Sequence, residues 1–266
     1  MIIPKKIYFN ASENRMRNIG DVISARNYFF TKKNKNLYHL LKNRFLWMND
    51  FITNNDNIIE LGSGPGLLKE FIKNKNFKTS DISTGDFLDF QNTDALNTNF
   101  EDESFSVIIS SNLIHHIAYP IKLFNEVHRI LKPGGIYIIQ DVNFSLMLKL
   151  IILLMKSEGY DETVNVLNDN IPCNNVLDPW SGNNAIPNLI FDNFEQFNQK
   201  LNNKYELIYS QKKEFLNFLN SGGVISKTFH IPMNEFMNEL LSKIDYYFTK
   251  IDKIFALQQS IVIKKI

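Results

Sequence analysis

The sequence predicts an α/β fold, a mostly parallel sheet with helices on both faces, and three observations carry that prediction. An apolar strand at 58–61 runs into glycines at alternate positions, Gly62, Gly64 and Gly66, after which Leu67, Leu68, Phe71 and Ile72 recur at helical spacing. Two more apolar runs, 106–112 and 136–141, flank an amphipathic stretch at 120–131. The chain then closes on a helical pattern at 234–253 and a strand at 256–263.

Composition bounds what such a fold can do. With 266 residues, 44% of them hydrophobic, the chain has material for one sizeable core. Its 29 basic and 28 acidic residues leave a formal charge of +1, so no global field draws it to nucleic acid or an anionic membrane. A single cysteine, Cys173, excludes an intramolecular disulfide and fits a reducing compartment. The first residues lack the apolar core and cleavage site of a signal peptide, which makes the cytoplasm the expected location.

Taken in order, residues 1–56 form an N-terminal helical cover, with helices at 20–31 and 36–52. The second puts Leu37, Leu40, Leu41, Phe45 and Met48 on one stripe. The strand at 58–61 and its glycine turn follow. Glycine is required there because the tight turn needs positive φ and a ligand must approach the backbone without meeting a Cβ. The spacing is G-x-G-x-G with Glu60 two residues ahead, unlike the G-x-G-x-x-G of dinucleotide sites, and no Gly-Lys-Ser/Thr follows. A carboxylate at that mouth repels phosphate and suits a cationic amine. Next, 77–83 reads as a short strand ending in an acid, Asp81, and the span from there to Asp94 is too short for a full crossover. The run 106–112 is a central strand that leaves Asn112 at its carboxyl end, where open α/β sheets bind ligands. Lys132-Pro133-Gly134-Gly135 breaks the chain before the strand at 136–141, which ends in Asp141.

The acid-led turn resembles motif I of the class I S-adenosylmethionine-dependent methyltransferases, of the methyltransferase type 11-like bacterial kind, and the later acids and the Lys-Pro-Gly-Gly turn extend the likeness. The resemblance implies a Rossmann-like seven-stranded sheet whose last strand is antiparallel, with S-adenosylmethionine as cofactor. It implies cofactor contacts at Glu60, Gly62, Ser63, Gly64, Gly66, Asp81, Ile82, Asp94, Ala95 and Asn112. In that reading Asp81 takes the ribose hydroxyls, Asp94 the adenine amino group, and the Ala95 N–H a ring nitrogen.

Beyond the core of 57–142, residues 143–200 and 215–232 read as cap and acceptor segments, and 201–214 with 233–266 complete the sheet, all within one domain. The apolar run 144–155 is about half the roughly 20 residues that span a bilayer, so it is expected to be a buried or lid helix, with an interfacial helix as the alternative. Asp178-Pro179-Trp180-Ser181-Gly182-Asn183-Asn184 is similar to a stretch in a group of poorly characterised bacterial methyltransferases, which implies a shared acceptor site.

Methyl transfer needs two reactants held in line, and an alcohol acceptor also gains from a base. His115, His116 and Asp141 are the candidate catalytic residues, with His230 behind them. Adjacent histidines on a helix point in different directions, so no metal site is expected. Ser110-Ser111 lacks a Gly-x-Ser-x-Gly elbow, which argues against a hydrolase. The expected activity is O-methylation of a small polar acceptor, a sugar or phosphorylated intermediate of a bacterial surface glycan. The rivals are a lipid or quinone methyltransferase at the membrane surface and a non-catalytic cofactor-binding scaffold. The expected partner is thus a small-molecule acceptor. Nucleic acid is not expected, since the Asn/Asp-Pro-Pro-aromatic motif is replaced by Ser111-Asn112-Leu113-Ile114. The oligomeric state stays open.

Overall fold

The structure is a computed structural model that describes residues 3–9, 14–223 and 228–266. Parts of the N-terminal cover (1–2 and 10–13) and of the second cap segment (224–227) therefore lie outside the described residues.

A two-residue strand β1 (Lys6–Ile7) precedes helices α1 (Ile19–Lys32) and α2 (Lys35–Phe45). Both helices start on an asparagine whose side chain accepts two backbone N–H groups of the first turn, Asn18 for α1 and Asn34 for α2. The core strands then follow as β2 (Ile58–Leu61), β3 (Phe77–Ser80) and β4 (Phe105–Ser111). Helix α3 (Pro120–Ile130) leads into β5 (Leu131–Val142), then α4 (Leu146–Met155), β6 (Tyr160–Asp161), α5 (Ile186–Phe191) and α6 (Phe194–Lys200). Strand β7 (Tyr205–Lys213), α7 (Leu216–Leu219), α8 (Glu235–Thr249) and β8 (Gln258–Lys265) complete the chain.

The main sheet runs β3-β2-β4-β5-β8-β7. Its first four strands are parallel, and β8 lies antiparallel between β5 and β7, as expected for the last strand. Among the described residues this sheet has six strands where seven were expected; the segment between β3 and β4 contributes a bridge from Ser80 to Phe90 in place of a strand. β1 and β6 pair separately, Lys6 opposite Asp161.

Alternation along β2 explains the two layers: Ile58 faces one side of the sheet and Ile59 the other. On the first side Leu37, Leu40, Leu41 and Phe45 of α2 pack with Ile58, Ile109, Ile138 and Val262. The N-terminal cover is thus partly a layer of the sheet. On the second side α3 supplies Leu123, Phe124, Val127 and Ile130, and α5 and α6 add Ile186, Ile190, Phe194 and Phe197. Residues 186–200, expected in the cap, therefore belong to the sheet's own core. Each fully buried side chain of this kind stabilises by about 1.5–3 kcal/mol.

Two local expectations change. Leu67 to Ile72 do not form an α-helix; the chain makes a single 3-10 turn at Leu68–Glu70 and returns at once to β3. The apolar residues still point inward, buried against Leu37, Leu40 and Phe45, so their spacing reports a buried face and not a helix long enough to close a crossover. Strand β5 begins at Leu131, paired with Phe105, and Pro133-Gly134-Gly135 is a bulge within it.

Candidate active site

The carboxyl ends of β2, β3 and β4 open on a cavity of about 620 Å³, within the usual range for small-molecule sites of roughly 300–1,000 Å³. It is roofed by α2, by Leu148, Ile151, Ile152 and Met155 of α4, and by the loop holding Asn175, Pro179, Trp180 and Asn184. Helix α4 is therefore a lid with one buried face, while Leu154 on its outer side is 82% exposed.

Glu60, next to last in β2, lines this cavity, only 2% exposed, and its Oε2 has no hydrogen-bond partner among the described residues. Burial drives its carboxyl up to about 8; the Ser63 hydroxyl offsets part of this and the charge of Asp81 adds to it. Beyond it the turn takes left-handed backbone at Gly62 (φ 69°) and Gly64 (φ 49°). A Cβ on Gly64 would meet nothing within 4 Å, so its bare face looks into open space. Gly66 is different: its φ of 66° and its N–H to Ser63 O (2.8 Å) close the turn, but it lies outside the cavity against Phe87 and Arg26.

Asp81 stands at the end of β3 and ties the turn down. Its Oδ2 accepts the Gly64 N–H at 2.7 Å, and Oδ1 accepts the Ser83 N–H at 2.8 Å and the Ser83 hydroxyl at 2.6 Å. These bonds use three of the about four lone-pair positions of a carboxylate, leaving room for one ligand hydroxyl where the sequence led us to expect two. Ile82 and Asp94 are exposed at the rim, and Ala95 is buried beside them, all three on the cavity wall. Ser63 and Asn112 line it too, Asn112 with a φ of 53° and its N–H on Gln140 O at 2.7 Å.

The histidine pair sits at the other end. Residues 114–116 form a 3-10 turn, which brings the rings of His115 and His116 to 4.1 Å between centroids. Their expected divergence is thus overturned by the tighter turn. His115 Nδ1 meets Asp141 Oδ1 at 2.6 Å and His116 Nδ1 meets Ser181 O at 2.9 Å. Both Nε2 atoms face Glu158, at 3.3 Å from His115 and 3.8 Å from His116. Burial pulls the His115 imidazolium down, but the carboxylates of Asp141 and Glu158 outweigh it and hold the group up at about 10. For His116, burial and the neighbouring His115 both lower the pKa, which favours the neutral ring. Burial raises the Glu158 carboxyl, and the two histidines more than reverse this, to about 2.

Asp141, a candidate base from its strand-end position, is 0% exposed and lies outside the cavity wall. Its oxygens accept the N–H groups of Ile114 (2.7 Å) and Val142 (2.8 Å) as well as holding His115, so it positions the turn and does not meet a ligand. His230 is exposed and outside the cavity.

Sequence reasoning missed Glu158. It follows α4 with no periodic signal, and only the loop at 178–184 hints at it. Gly182 sits so close that a Cβ would fall 2.5 Å from Glu158 Oε2, and Asn184 Nδ2 reaches that oxygen at 3.4 Å. Asn183 fastens the loop: its N–H donates to His115 O (2.7 Å), its amide to Asp161 O (3.2 Å) and Cys173 O (3.0 Å).

Parts of the chain are similar to known proteins. Residues 59–139 match the family described as methyltransferase domain. Phosphoethanolamine N-methyltransferase 2 of Caenorhabditis elegans is 49% identical over 43 residues, which cover 16% of this chain and only a tenth of that relative's length. Among solved structures, an S-adenosylmethionine-dependent methyltransferase of Methanosarcina mazei aligns with a TM-score of 0.45 at 14% identity, over 84% of this chain and 98% of that one. Another, of Mesorhizobium loti, aligns with a TM-score of 0.44 at 11% identity, over 82% and 96%. The part of the chain that matches, 59–139, is the sheet core from β2 to β5. Among the described residues no helix is long and apolar enough to cross a membrane.

Proposed function

We propose that this chain is an S-adenosylmethionine-dependent methyltransferase acting on an oxygen of a small hydroxylated acceptor, of the kind found in the sugars of bacterial surface glycans. The observation that carries the cofactor half is the unpartnered Glu60 Oε2 in the cavity. A buried carboxylate oxygen without a donor costs about 1–3 kcal/mol or more, and an ammonium group is the ligand that removes that cost. Glu60 would take the amino group of the cofactor's amino-acid tail, with Gly62, Ser63 and Gly64 allowing the tail to lie against the backbone. Asp81 would accept one ribose hydroxyl, Asp94 and the Ala95 N–H would read the adenine edge, and Ile82 and Asn112 would border it. When bound, the cofactor supplies an electrophilic methyl carbon on a positively charged sulfur.

The chain's own contribution is position and exclusion of water. Holding two reactants in line is worth up to roughly 7–11 kcal/mol. At the acceptor end Trp180 offers an aromatic face, Asn175 and Asn184 offer amides, and His116 and Glu158 offer acceptors for a hydroxyl proton. That mixture suits a polyol. Calorimetry with S-adenosylmethionine tests the cofactor half, where absence of heat at millimolar ligand refutes it. Release of S-adenosylhomocysteine in the presence of sugar acceptors tests the rest, and binding without release with any acceptor would leave a scaffold.

A second reading has its own observation. Leu37, Leu40, Leu41 and Phe45 of α2 face Leu148, Ile151, Ile152 and Met155 of α4 across the cavity, an apolar wall that fits an acyl or prenyl tail. Flotation with liposomes together with turnover of a lipid acceptor would favour it over the polyol.

A further inference from the structure

We propose that His115, His116 and Glu158 hold a divalent transition-metal cation, with zinc the best match, at the acceptor end of the cavity. Both imidazoles turn Nε2 toward the same carboxylate, and the candidate ligand atoms all lie within 4.8 Å of one another. A tetrahedral zinc with bonds of about 2.0–2.2 Å has ligands roughly 3.3–3.6 Å apart. His115 Nε2 lies 3.3 Å from Glu158 Oε2 and His116 Nε2 lies 3.8 Å from the other oxygen, Oε1, so both imidazoles stand close to that edge length from the one carboxylate.

The support behind the ligands is already in place. A metal-binding histidine usually gives its other ring N–H to a carboxylate or carbonyl, which fixes the tautomer and raises the basicity of the ligand nitrogen. His115 has Asp141 in that position at 2.6 Å, and His116 has Ser181 O at 2.9 Å. Two carboxylates beside the imidazole pair, Asp141 fully buried and Glu158 half-buried at the cavity, supply the negative charge a dication requires. Two nitrogens and one carboxylate favour zinc-like cations over magnesium or calcium, which prefer oxygen cages. The three protein ligands leave an open position, and the cavity gives it access.

The cation site stands on its own geometry; only the use of the open position rests on the function proposed above. There an acceptor hydroxyl would bind through oxygen, held in line and made more acidic by the neighbouring charge.

The test uses the full chain without a polyhistidine tag, stripped with chelator and titrated with Zn²⁺ by calorimetry, and with Co²⁺ by visible absorption. The proposal expects one ion per chain and a tetrahedral Co²⁺ spectrum. His116→Ala and Glu158→Gln should each weaken Zn²⁺ binding by at least tenfold, and Asp141→Asn by about 10–100-fold. His230→Ala should leave it unchanged. Binding of S-adenosylhomocysteine by each variant reports an intact fold, and Glu158→Gln keeps the side-chain shape. No ion bound by the unmodified chain, or equal affinity in His116→Ala and Glu158→Gln, overturns the proposal. Such a failure with cofactor binding intact rejects the cation site alone; loss of cofactor binding in the unmodified chain rejects the function instead.

Discussion

In the proposed cofactor site Glu60 would make cofactor affinity a function of pH. Its carboxyl is held up at about 8 against an ordinary value of 4.5, so near neutrality the free protein carries it mostly protonated. Pairing with the ammonium group of S-adenosylmethionine requires the charged form, so binding must expel that proton. Below about pH 7 the apparent affinity then falls tenfold per unit. The ligand's own amino group, with a pKa of about 7.7–8.0, is also about half deprotonated at pH 8, so the curve turns over near there and affinity is roughly twentyfold weaker at pH 6 than at pH 8. In the free protein the same group acts on stability. Between about pH 4.5 and 8 the folded chain binds a proton that the unfolded chain releases, so its stability falls as pH rises, at up to about 1.4 kcal/mol per unit. Glu60→Gln should abolish both slopes and weaken binding at pH 8 by about 10–100-fold, the loss of one charge-assisted hydrogen bond of about 1.5–3 kcal/mol. Calorimetry with S-adenosylhomocysteine at pH 6, 7 and 8 measures this, since it retains the same amino group. A flat profile, or a slope that survives Glu60→Gln, would refute the reasoning.

Other residues give sharper contrasts. Gly64→Ala should cost only about 1 kcal/mol for its left-handed backbone, because its Cβ meets nothing within 4 Å, yet it should cut cofactor affinity at least tenfold by filling the cavity; thermal melts and calorimetry separate the two effects. Gly62→Ala puts a Cβ 2.6 Å from Leu113 Cδ1 and should lose about 2–3 kcal/mol of stability in urea titration. Arg44→Ala leaves the buried Glu214 carboxylate without its ion-pair partner, a loss of about 3–5 kcal/mol by the same assay. Asn183→Ala orphans the buried groups that its side chain joins around Asp161 and Cys173, with an expected loss of about 2–3 kcal/mol and a raised KM for the acceptor.

What could be read from the sequence was what the chain determines locally. Glu60, the glycine turn, Asp81 and Asn112 reach one cavity because each ends a strand or opens the turn after it, and strand ends of a parallel sheet meet at one edge. Helices α2, α3 and α8 and strands β4 and β8 stand close to where the apolar pattern puts them. Where spacing is ambiguous the reading failed: Leu67, Leu68, Phe71 and Ile72 have helical spacing but bury themselves around one 3-10 turn. Gly66 matched the motif, yet its φ serves turn closure against Phe87. Asp141 shares its strand-end position with Asp81, but its oxygens are spent on the backbone of Ile114 and Val142 and on His115. Glu158 was illegible, because it reaches the histidines only through tertiary packing of α4 and the loop around Gly182.

The most direct measurement is a crystal structure with S-adenosylhomocysteine bound. The account predicts the ligand's amino group within about 2.7–3.0 Å of Glu60 Oε2, its adenine against Asp94 and Ala95, and its sulfur directed at His116 and Glu158. A ligand bound elsewhere, or one that leaves Glu60 Oε2 without a partner, would contradict it.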